Sequence, residues 1–256
     1  VTVVSADITE GSDGEIEVYI DTPSPIDGGY KLELMSSQGN FTLVNEQMTA
    51  ASGWVIDSFN ISQLPSREFT AVKATFGSHS DTKSYHFIVL GDWLNTCYNT
   101  PKEADFSGST KTVGTTTSSC IWSDNEFKIS FLDEVNENGS GIASSGSKMQ
   151  LEDWCLPAPE GKVCHNAADI CAFYRYPASS IQGSCGVEPQ ANHTIAVQFR
   201  DGIGCDSRIY IHGIGERFVE DAGGGLSLNQ ADHYMGSGNT CSSWTNPTRK
   251  AIKLFD

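Results

Sequence analysis

Two aspartates in the C-terminal part of the chain have the residue type and spacing for acid–base chemistry. Asp221 and Asp232 lie eleven residues apart. Residues 223–225, all glycine, follow the first, and the second lies in a short segment of strand character that ends at Gly236. Because glycine adopts positive φ without a steric cost, the run favours a sharp turn that brings both carboxylates to one cleft. Paired carboxylates cleave glycosidic bonds, although Asp and Gly also form ordinary turns and acidic, calcium-like loops.

The residues before this pair complete a longer pattern. Residues 209–221 read IYIHGIGERFVED, which predicts a strand, a Gly-Ile-Gly turn and a second strand. With the following residues, the segment resembles the three-aspartate domain and the membrane-bound lytic transglycosylase A group, most strongly over residues 208–238. In those families a strand ends in an aspartate, a Gly-Gly turn follows, and a last strand carries the acid. Asp221 and Asp232 match the second and third aspartates, whereas Gln198 stands where the first is expected.

The resemblance implies a fold, an activity and a set of site residues. It implies a six-stranded double-psi β-barrel most similar to a secreted fungal muramidase, which cleaves the β-1,4 bond between N-acetylmuramic acid and N-acetylglucosamine. Asp232 would be the general acid, and Asp221 would raise the pKa of Asp232 or hold a sugar group. Tyr234 and Gly224 are expected to contact the substrate.

A further carboxylate is expected at the start of the barrel. Residues 127–141, FKISFLDEVNENGSG, predict a strand that starts at Phe127 and ends in a Gly/Asn-rich turn. In barrels of the family that the chain resembles, the first strand runs beside the last. The resemblance therefore points to Asp133, or else Glu134, as the residue that activates water, and Glu134 is otherwise expected to contact the sugar. The residues SFLD also resemble the first strand of family-45 endoglucanases, and a solvated acidic turn is the alternative interpretation.

Three other functions remain open at this stage. Lytic transglycosylation needs one carboxyl group, because a hydroxyl of the sugar attacks and leaves a 1,6-anhydro end, whereas hydrolysis needs a place for water. An endoglucanase acting on β-glucan would share the acid and the base. An expansin-like wall protein would keep the aspartate of the last strand without hydrolysis. The shared barrel does not decide among them.

Composition limits the class of partner. The 256 residues carry a net charge of −16, which argues against binding to nucleic acid or to anionic lipid surfaces. No apolar run approaches the length of a membrane span. We expect peptidoglycan or another cell-wall polysaccharide as the partner, a monomeric protein, and no metal or cofactor.

Cysteines and sequons predict the compartment. The chain has eight cysteines, an even number, and four Asn-x-Ser/Thr sequons, at Asn40, Asn60, Asn138 and Asn192. Together these features indicate a secreted, extracellular, disulfide-bonded glycoprotein. The resemblance described above, rather than these features, implies a fungal protein. Because the sequence begins with Val1 and has no signal-like apolar segment, we expect a mature, processed form.

Cysteine placement divides the chain in two. Residues 1–96 contain no cysteine, and short alternating segments over this half predict an antiparallel β-sandwich of immunoglobulin or fibronectin type. We therefore expect a β-sandwich accessory domain over 1–92 and a disulfide-rich barrel domain over 93–256. No catalytic group is apparent in the first half, so it is either a spacer or a carbohydrate-binding domain.

Three expectations concern the middle of the chain. The Ser/Thr/Gly-rich segment between Cys97 and Cys120 is interpreted as a hairpin closed by a bridge between these two residues, or else as an O-glycosylated linker. The four cysteines between residues 155 and 186 are expected to form disulfides rather than a zinc site. The aromatic residues of CAFYRYPASS are interpreted as core or, for one of them, as a platform for a sugar ring: Phe173, Tyr174 and Tyr176.

Overall fold

The computed structural model describes residues 1–8, 14–152, 158–167 and 170–255. It confirms a nearly all-β, disulfide-rich protein, in which the described residues form one α-helix, α1 (Ile129–Asn138), and two short 3-10 helices, Ile61–Gln63 and Glu103–Asp105. The strands are, in chain order, β1 Thr2–Ile8, β2 Gly14–Ile20, β3 Ile26–Met35, β4 Phe41–Ala50, β5 Gly53–Phe59, β6 Glu68–Phe76, β7 His79–Thr100, β8 Thr110–Thr116, β9 Trp122–Lys128, β10 Ser140–Ile142, β11 Lys148–Glu152, β12 His165–Ala167, β13 Ile170–Ala178, β14 Thr194–Val197, β15 Arg208–Ile211, β16 Gly215–Ala222, β17 Gln230–Ser237 and β18 Thr248–Leu254.

The chain divides into two compact units. Unit 1 consists of Val1–Leu94 with two later segments, Asp206–Phe218 and Pro247–Asp256. Unit 2 consists of Asn95–Cys205 and Val219–Asn246. The predicted division into 1–92 and 93–256 differs from this one because the two later segments group with the N-terminal residues.

Unit 1 is built from two sheets around one hydrophobic core. The first sheet has the order β1, β2, β5 and is antiparallel. Alternation along β2 places Ile16, Val18 and Ile20 in the core, at 0 to 2% exposure, while the residues between them face outward. The alternating segments therefore form strands as predicted, although the immunoglobulin or fibronectin type of this half stays a prediction.

The second sheet of unit 1 includes strands from the later segments. Its order is β15, β18, β7, β6, β3, β4, and residues 215–218 of β16 pair with β15. The Gly-Ile-Gly turn between β15 and β16 forms as predicted, with Gly213 and Gly215 at positive φ. Tyr210 of β15 and Ile252 of β18 join the core built by β1 to β7, which explains why these segments belong to unit 1.

Unit 2 contains a sheet of short strands packed against α1. The order is β10, β11, β13, β8, β9, with β12 also paired to β13, and β13 runs parallel to β8. Its core cluster combines residues of these strands with α1: Val113, Phe127, Phe131, Leu132, Val135, Ala143, Met149, Ala172 and Tyr174. Separately, β14 pairs with β17, with Ala196 opposite Asp232. The double-psi arrangement of residues 93–256 stays a prediction.

The prediction that residues from Phe127 onward form a strand ending near Asp133 and Glu134 is wrong. Strand β9 ends at Lys128, and residues 129–138 form α1. The buried residues Phe131, Leu132 and Val135 have the spacing of one helix face. Gly139, in the left-handed region with φ 76°, ends the helix and donates its N–H to the carbonyl of Val135.

The predicted Cys97–Cys120 bridge is also wrong. Cys97 bonds to Cys241, and β8 and β9 form the hairpin between residues 97 and 128 without it. The other bridges within the described residues are Cys164–Cys171 and Cys185–Cys205; Cys120 is also disulfide-bonded, and Cys155 lies outside the described residues. These cysteines form disulfides as expected. The correct partners could not be deduced, because eight cysteines allow 105 pairings.

Among the helices of the described residues, none is long and apolar enough to cross a membrane.

Candidate active site

Unit 2 contains a cleft of about 750 Å³ that carries both aspartates of the C-terminal motif. This volume lies within the range of about 300–1,000 Å³ found for small-molecule sites. The residues that line the cleft are Tyr98, Thr100, Asn136, Glu137, Asn138, Gly139, Ser140, Gln150, Leu151, Ile181, Gln182, Gly183, Ser184, Pro189, Ala196, Asp221, Ala222, Gly223, Gly224, Gly225, Leu226, Asp232 and Tyr234.

Strand alternation places Asp232 in the cleft. On β17, Ala231 and His233 are buried at 0 and 1% exposure, whereas Asp232 and Tyr234 both line the cleft. The pleat turns successive side chains to opposite faces, so a carboxylate and an aromatic ring two residues apart face the same space. This is the placement that the sequence motif predicted for Asp232 and Tyr234; their roles stay predictions.

The surroundings of Asp232 favour its protonated form. Burial raises the pKa of this carboxyl above its usual value, and the negative charge of Asp221 adds to the increase, while a hydrogen bond with Thr96 partly opposes it. The buried Oδ1 atom has no hydrogen-bond partner in the part of the chain that the structure describes. A largely buried carboxyl with a raised pKa, an unpartnered oxygen and a place in the lining of a cleft is suited to donating a proton.

Asp221 has the opposite environment, because it is surrounded by donors. Its Oδ1 accepts the backbone N–H of Ser184 at 2.7 Å, the hydroxyl of Ser184 at 2.9 Å and the backbone N–H of Ala222 at 2.9 Å. Its Oδ2 accepts the hydroxyl of Tyr98 at 3.1 Å. A carboxylate that accepts four hydrogen bonds is held in one orientation as an anion. Asp221 is therefore a fixed negative charge beside Asp232.

The segment that supplies Ser184 approaches Asp221 closely through a glycine. A Cβ atom on Gly183 would lie 2.6 Å from the carbonyl oxygen of Glu220 and 3.1 Å from Cγ of Asp221. The segment is fixed on both sides, because Gly183 donates its N–H to the carbonyl of Val187 and Cys185 bonds to Cys205. Gly183 therefore allows the Ser184 donors to reach the carboxylate.

Two tyrosines form one wall of the cleft. The rings of Tyr98 and Tyr234 are 5.2 Å apart between centroids and tilted by 55°. Burial and the neighbouring negative charge of Asp221 raise the pKa of Tyr98, so its hydroxyl stays protonated and acts as a donor. The hydroxyl of Tyr234 lies 2.9 Å from Oγ1 of Thr100. The wall thus consists of two aromatic rings whose hydroxyl groups already form hydrogen bonds within the protein.

The glycine run turns the chain in a different way from that predicted. Leu226 donates its N–H to the carbonyl of Gly223, which closes a turn over Gly224 and Gly225. None of these three glycines has φ in the left-handed region. A Cβ atom on Gly224 or Gly225 would meet no atom within 4 Å. Gly224 lines the cleft, but the turn does not need a residue with positive φ. The absence of a side chain at Gly224 instead leaves space in the cleft.

The structure does not place Asp133 in the cleft. It lies on α1, and its Oδ1 is 2.7 Å from Nε2 of His165. The side chain of His165 is 3% exposed and that of Asp133 is 51% exposed. Because the helix replaces the predicted strand, the acidic pair does not run beside β17. Asp133 instead pairs with a buried histidine.

Glu134 lies in a different and smaller cavity of about 220 Å³, with Lys102, Asp105 and Asn239 among its lining residues. Burial raises the pKa of Glu134, and the charges of Glu137 and Asp133 add to the increase, while a hydrogen bond from Asn138 opposes it. Neither of the two acids proposed from the sequence therefore shares the cleft of Asp232.

The sequence analysis missed a carboxylate that does line this cleft. Glu137 is exposed and lies one helical turn after Asp133. Tyr98 and Ser184, which bind Asp221, were also missed, because neither is near the motif in sequence. The one signal for Glu137 in the sequence is the helical spacing of Phe131, Leu132 and Val135, which overlaps with the strand-like alternation of Phe127, Ile129 and Phe131.

The aromatic residues of CAFYRYPASS belong to the core. Phe173 and Tyr174 are 7% and 0% exposed, and Tyr176 packs edge-on against Phe127. Their alternation reflects packing on both faces of β13 rather than a platform for sugar. None of the three lines the cleft.

Comparison with known proteins gives distant structural resemblances. No family model matches the chain, and no curated protein matches it. Among solved structures, MltA of Escherichia coli with bound chitohexaose shares 12% identity, covers 66% of this chain and 74% of that chain, and has a TM-score of 0.45. The structure of E. coli MltA described as a unique lytic transglycosylase fold shares 14% identity over 65% and 72% of the two chains, with a TM-score of 0.42. LtgG, a lytic transglycosylase of Burkholderia pseudomallei, shares 12% identity over 73% and 76%, with a TM-score of 0.37. Superpositions this loose do not by themselves assign an activity.

Proposed function

We propose that this chain is an enzyme that cleaves glycosidic bonds, with Asp232 as the general acid. The observation that carries the proposal is the contrast between two carboxyl groups of one cleft. Asp232 is half-buried, its pKa is raised, and it has a free oxygen. Asp221 is held as an anion by four donors. A carboxyl group with a raised pKa beside a second carboxylate in the same cleft is typical of acid catalysis on glycosides.

The proposed chemistry starts with proton transfer from Asp232. The proton goes to the glycosidic oxygen, the bond from that oxygen to the anomeric carbon breaks, and positive charge develops on the sugar ring. Asp221 contributes its fixed negative charge, which keeps Asp232 protonated before the step and stabilises the developing cation nearby. The apolar wall formed by Tyr98 and Tyr234 offers a surface for one face of a sugar ring.

We propose hydrolysis, with Glu137 rather than Asp133 as the base. Glu137 lines the same cleft and is exposed to water, whereas Asp133 is paired with His165. Glu137 would take a proton from water as the water oxygen bonds to the anomeric carbon. Glu137 would then release this proton to solvent, and a solvent proton would return Asp232 to its acid form. In lytic transglycosylation a sugar hydroxyl would attack instead, and Glu137 would not be needed.

The proposed substrate is peptidoglycan, cleaved at the β-1,4 bond between N-acetylmuramic acid and N-acetylglucosamine. Support comes from the motif with Asp221 and Asp232, which resembles families acting on that polymer. The size of the cleft is compatible with sugar units bound across it. The protein would act as a monomer, without a metal or cofactor.

We also propose that the protein is secreted and works outside the cell. The three bridges within the described residues, with no free cysteine there, support an oxidising compartment. Three of the four sequon asparagines are exposed, as N-glycosylation requires: Asn40, Asn60 and Asn192.

The main test is Asp232→Asn, measured on purified bacterial cell walls and on cellulose by release of soluble fragments and reducing ends. Because the amide keeps the shape but cannot donate the proton, turnover on cell walls should fall by about 10²–10⁴-fold. The melting temperature and substrate binding should stay near those of the native protein.

Asp201→Asn is the matched control, because Asp201 is exposed and lies outside the cleft; it should keep native activity. Equal turnover of native protein and Asp232→Asn on cell walls would refute the assignment. If the native protein is active on cellulose alone, the assignment changes from muramidase to endoglucanase. If it is active on neither polymer, a non-hydrolytic wall protein is favoured.

Glu137→Gln separates the two mechanisms. If Glu137 activates water, this variant should lose about 10²-fold or more in hydrolysis, whereas Asp133→Asn should lose much less when compared at equal folded fraction. Mass spectrometry of the products gives the second measurement. Native activity in Glu137→Gln together with 1,6-anhydro ends would show transglycosylation and remove the base role from Glu137.

A further inference from the structure

The outward face of the three-stranded sheet of unit 1 carries an exposed aromatic pair. Ile16 and Val18 of β2 point into the core, and alternation turns Tyr19 to the opposite side. Trp54 of β5 lies directly across from Tyr19, with ring centroids 5.2 Å apart and a tilt of 59°. Trp54 is 58% exposed. The indole ring thus lies against a tyrosine ring and remains more than half exposed.

Hydroxyl and carboxylate groups surround this pair. The hydroxyl of Tyr19 is 3.3 Å from Oγ of Ser52, which donates to Oδ1 of Asp21 at 3.1 Å. In the next row of the sheet, Ser5 donates its hydroxyl to Oε2 of Glu17 at 2.9 Å. Strands β1, β2 and β5 contain no lysine or arginine. The face therefore combines one open aromatic surface with hydrogen-bonding groups and negative charge.

We propose that this face, formed by Tyr19, Trp54, Ser52, Asp21 and Glu17, binds a glucosamine polysaccharide with unacetylated amino groups. The apolar side of a pyranose ring stacks on Trp54. The charge of the face decides between polysaccharides, because carboxylates attract the ammonium groups of such a chain and repel uronic acids or phosphates. An ammonium group near the indole gains further from the ring quadrupole.

A second copy of the chain fits this face poorly. Symmetric pairing through one face would bring Asp21 and Glu17 of each copy toward the same groups of the other, which like-charge repulsion opposes. The site lies in unit 1, apart in sequence from the acid–base residues of unit 2. It therefore does not rest on the proposed catalytic activity.

The test is calorimetric titration of the full chain carrying Asp232→Asn, which prevents turnover during the measurement. The probes are a chitosan oligosaccharide, its fully N-acetylated counterpart and an oligogalacturonate of the same length. We expect the chitosan oligosaccharide to bind most tightly and its affinity to fall as salt is added. Adding Trp54→Ala should weaken this binding by about tenfold or more.

Ile56→Ala is the matched control, because Ile56 lies on the same face of β5 and is 60% exposed; it should change the affinity by less than about twofold. The proposal is overturned if Trp54→Ala binds chitosan oligosaccharide as the parent does, or if oligogalacturonate binds equally well. It is also overturned if sedimentation shows a dimer that Trp54→Ala converts to a monomer. Failure of the proposed catalytic role would be a separate result, because Asp232→Asn would then turn over cell walls as fast as the native protein does.

Discussion

At the scale of single residues, Asp221 and Asp232 show how one cleft gives two carboxyl groups different behaviour. Asp232 lies on a strand whose pleat points it into partly buried space, with one oxygen unpartnered. Asp221 is the next-to-last residue of β16 and accepts both a backbone and a side-chain hydrogen bond from Ser184 of a neighbouring loop. Burial and the charge of Asp221 favour the protonated form of Asp232, whereas hydrogen-bond donors fix the orientation of Asp221.

The pH dependence of activity should report this difference. The general acid works in its protonated form, so kcat/KM should fall as pH rises through the pKa of Asp232, which burial and Asp221 raise. Asp221→Asn removes a negative charge and should therefore lower that pKa. The alkaline limb of the pH profile should move to lower pH, with a lower maximum rate, while Asp201→Asn leaves the profile unchanged. An alkaline limb that stays in place in Asp221→Asn would show that the two groups are not coupled.

At the scale of elements, the segment of residues 181–187 and helix α1 shape the cleft from two sides. The segment is fixed by the Cys185–Cys205 bridge and by the N–H that Cys185 donates to the carbonyl of Glu220 at 3.3 Å. Helix α1 packs Phe131 and Val135 into the core of unit 2 and presents Glu137 at the cleft. Both elements hold polar groups in place through contacts away from the cleft.

Gly183→Ala should disturb the site without touching a carboxylate. The new Cβ would clash with the carbonyl of Glu220 at 2.6 Å, so the segment must move and the Ser184 donors would leave Asp221. We expect kcat/KM to fall by about 10- to 100-fold and stability to fall by about 1–3 kcal/mol, measured by steady-state kinetics and thermal unfolding. Gly204→Ala is the control, because its Cβ would meet nothing within 4 Å. Equal activity of the two variants would show that the close approach is unimportant.

Local patterns predicted the strands better than they predicted α1. The alternation of GEIEVYI and GWVIDSF is unambiguous, and both segments form strands. Residues 127–138 carry two patterns at once, because Phe127, Ile129 and Phe131 alternate while Phe131, Leu132 and Val135 have helical spacing. The helix forms because its apolar residues pack into the core of unit 2, and this contact cannot be derived from a single short segment.

At the scale of the whole molecule, the covalent bridges are confined to one unit. The bridges Cys97–Cys241, Cys164–Cys171 and Cys185–Cys205 all join residues of unit 2. The sequence of unit 1 contains no cysteine. Unit 1 therefore depends on packing between its two sheets, whereas unit 2 also depends on the redox state of its surroundings.

Reduction should unfold unit 2 first. Loss of a native bridge costs about 2–5 kcal/mol, and unit 1 has no bridge to lose. Hydrogen exchange with and without reductant should show lost protection in β8, β13 and β17, while β3 and β6 keep theirs. Earlier loss of protection in β3 and β6 would contradict this assignment of stability. Heating without reductant is the control, because all bridges then stay intact.

The sequence did not reveal which segments of the chain make up unit 1. The absence of cysteine from residues 1–96 suggested a boundary near residue 92, and Val1–Leu94 does belong to one compact unit. However, Tyr210 and Ile252 also contribute to its core, although they lie more than a hundred residues away along the chain. Such long-range pairing leaves no local signal in the sequence, because the apolar pattern of a strand does not identify the strand with which it pairs.

The late position of β18 has a consequence for biosynthesis. In unit 1, β18 pairs with β7 from Leu94 to Phe87, yet it is made only after the roughly 150 residues that separate the two strands along the chain. At typical rates of synthesis, roughly ten to thirty seconds separate the appearance of β7 from that of β18. During this interval the nascent chain exposes an unpaired strand edge, a template for wrong pairing. The sheet of unit 1 is thus completed only after the residues of unit 2 have been made, and a chaperone that shields this edge should raise the yield of folded protein.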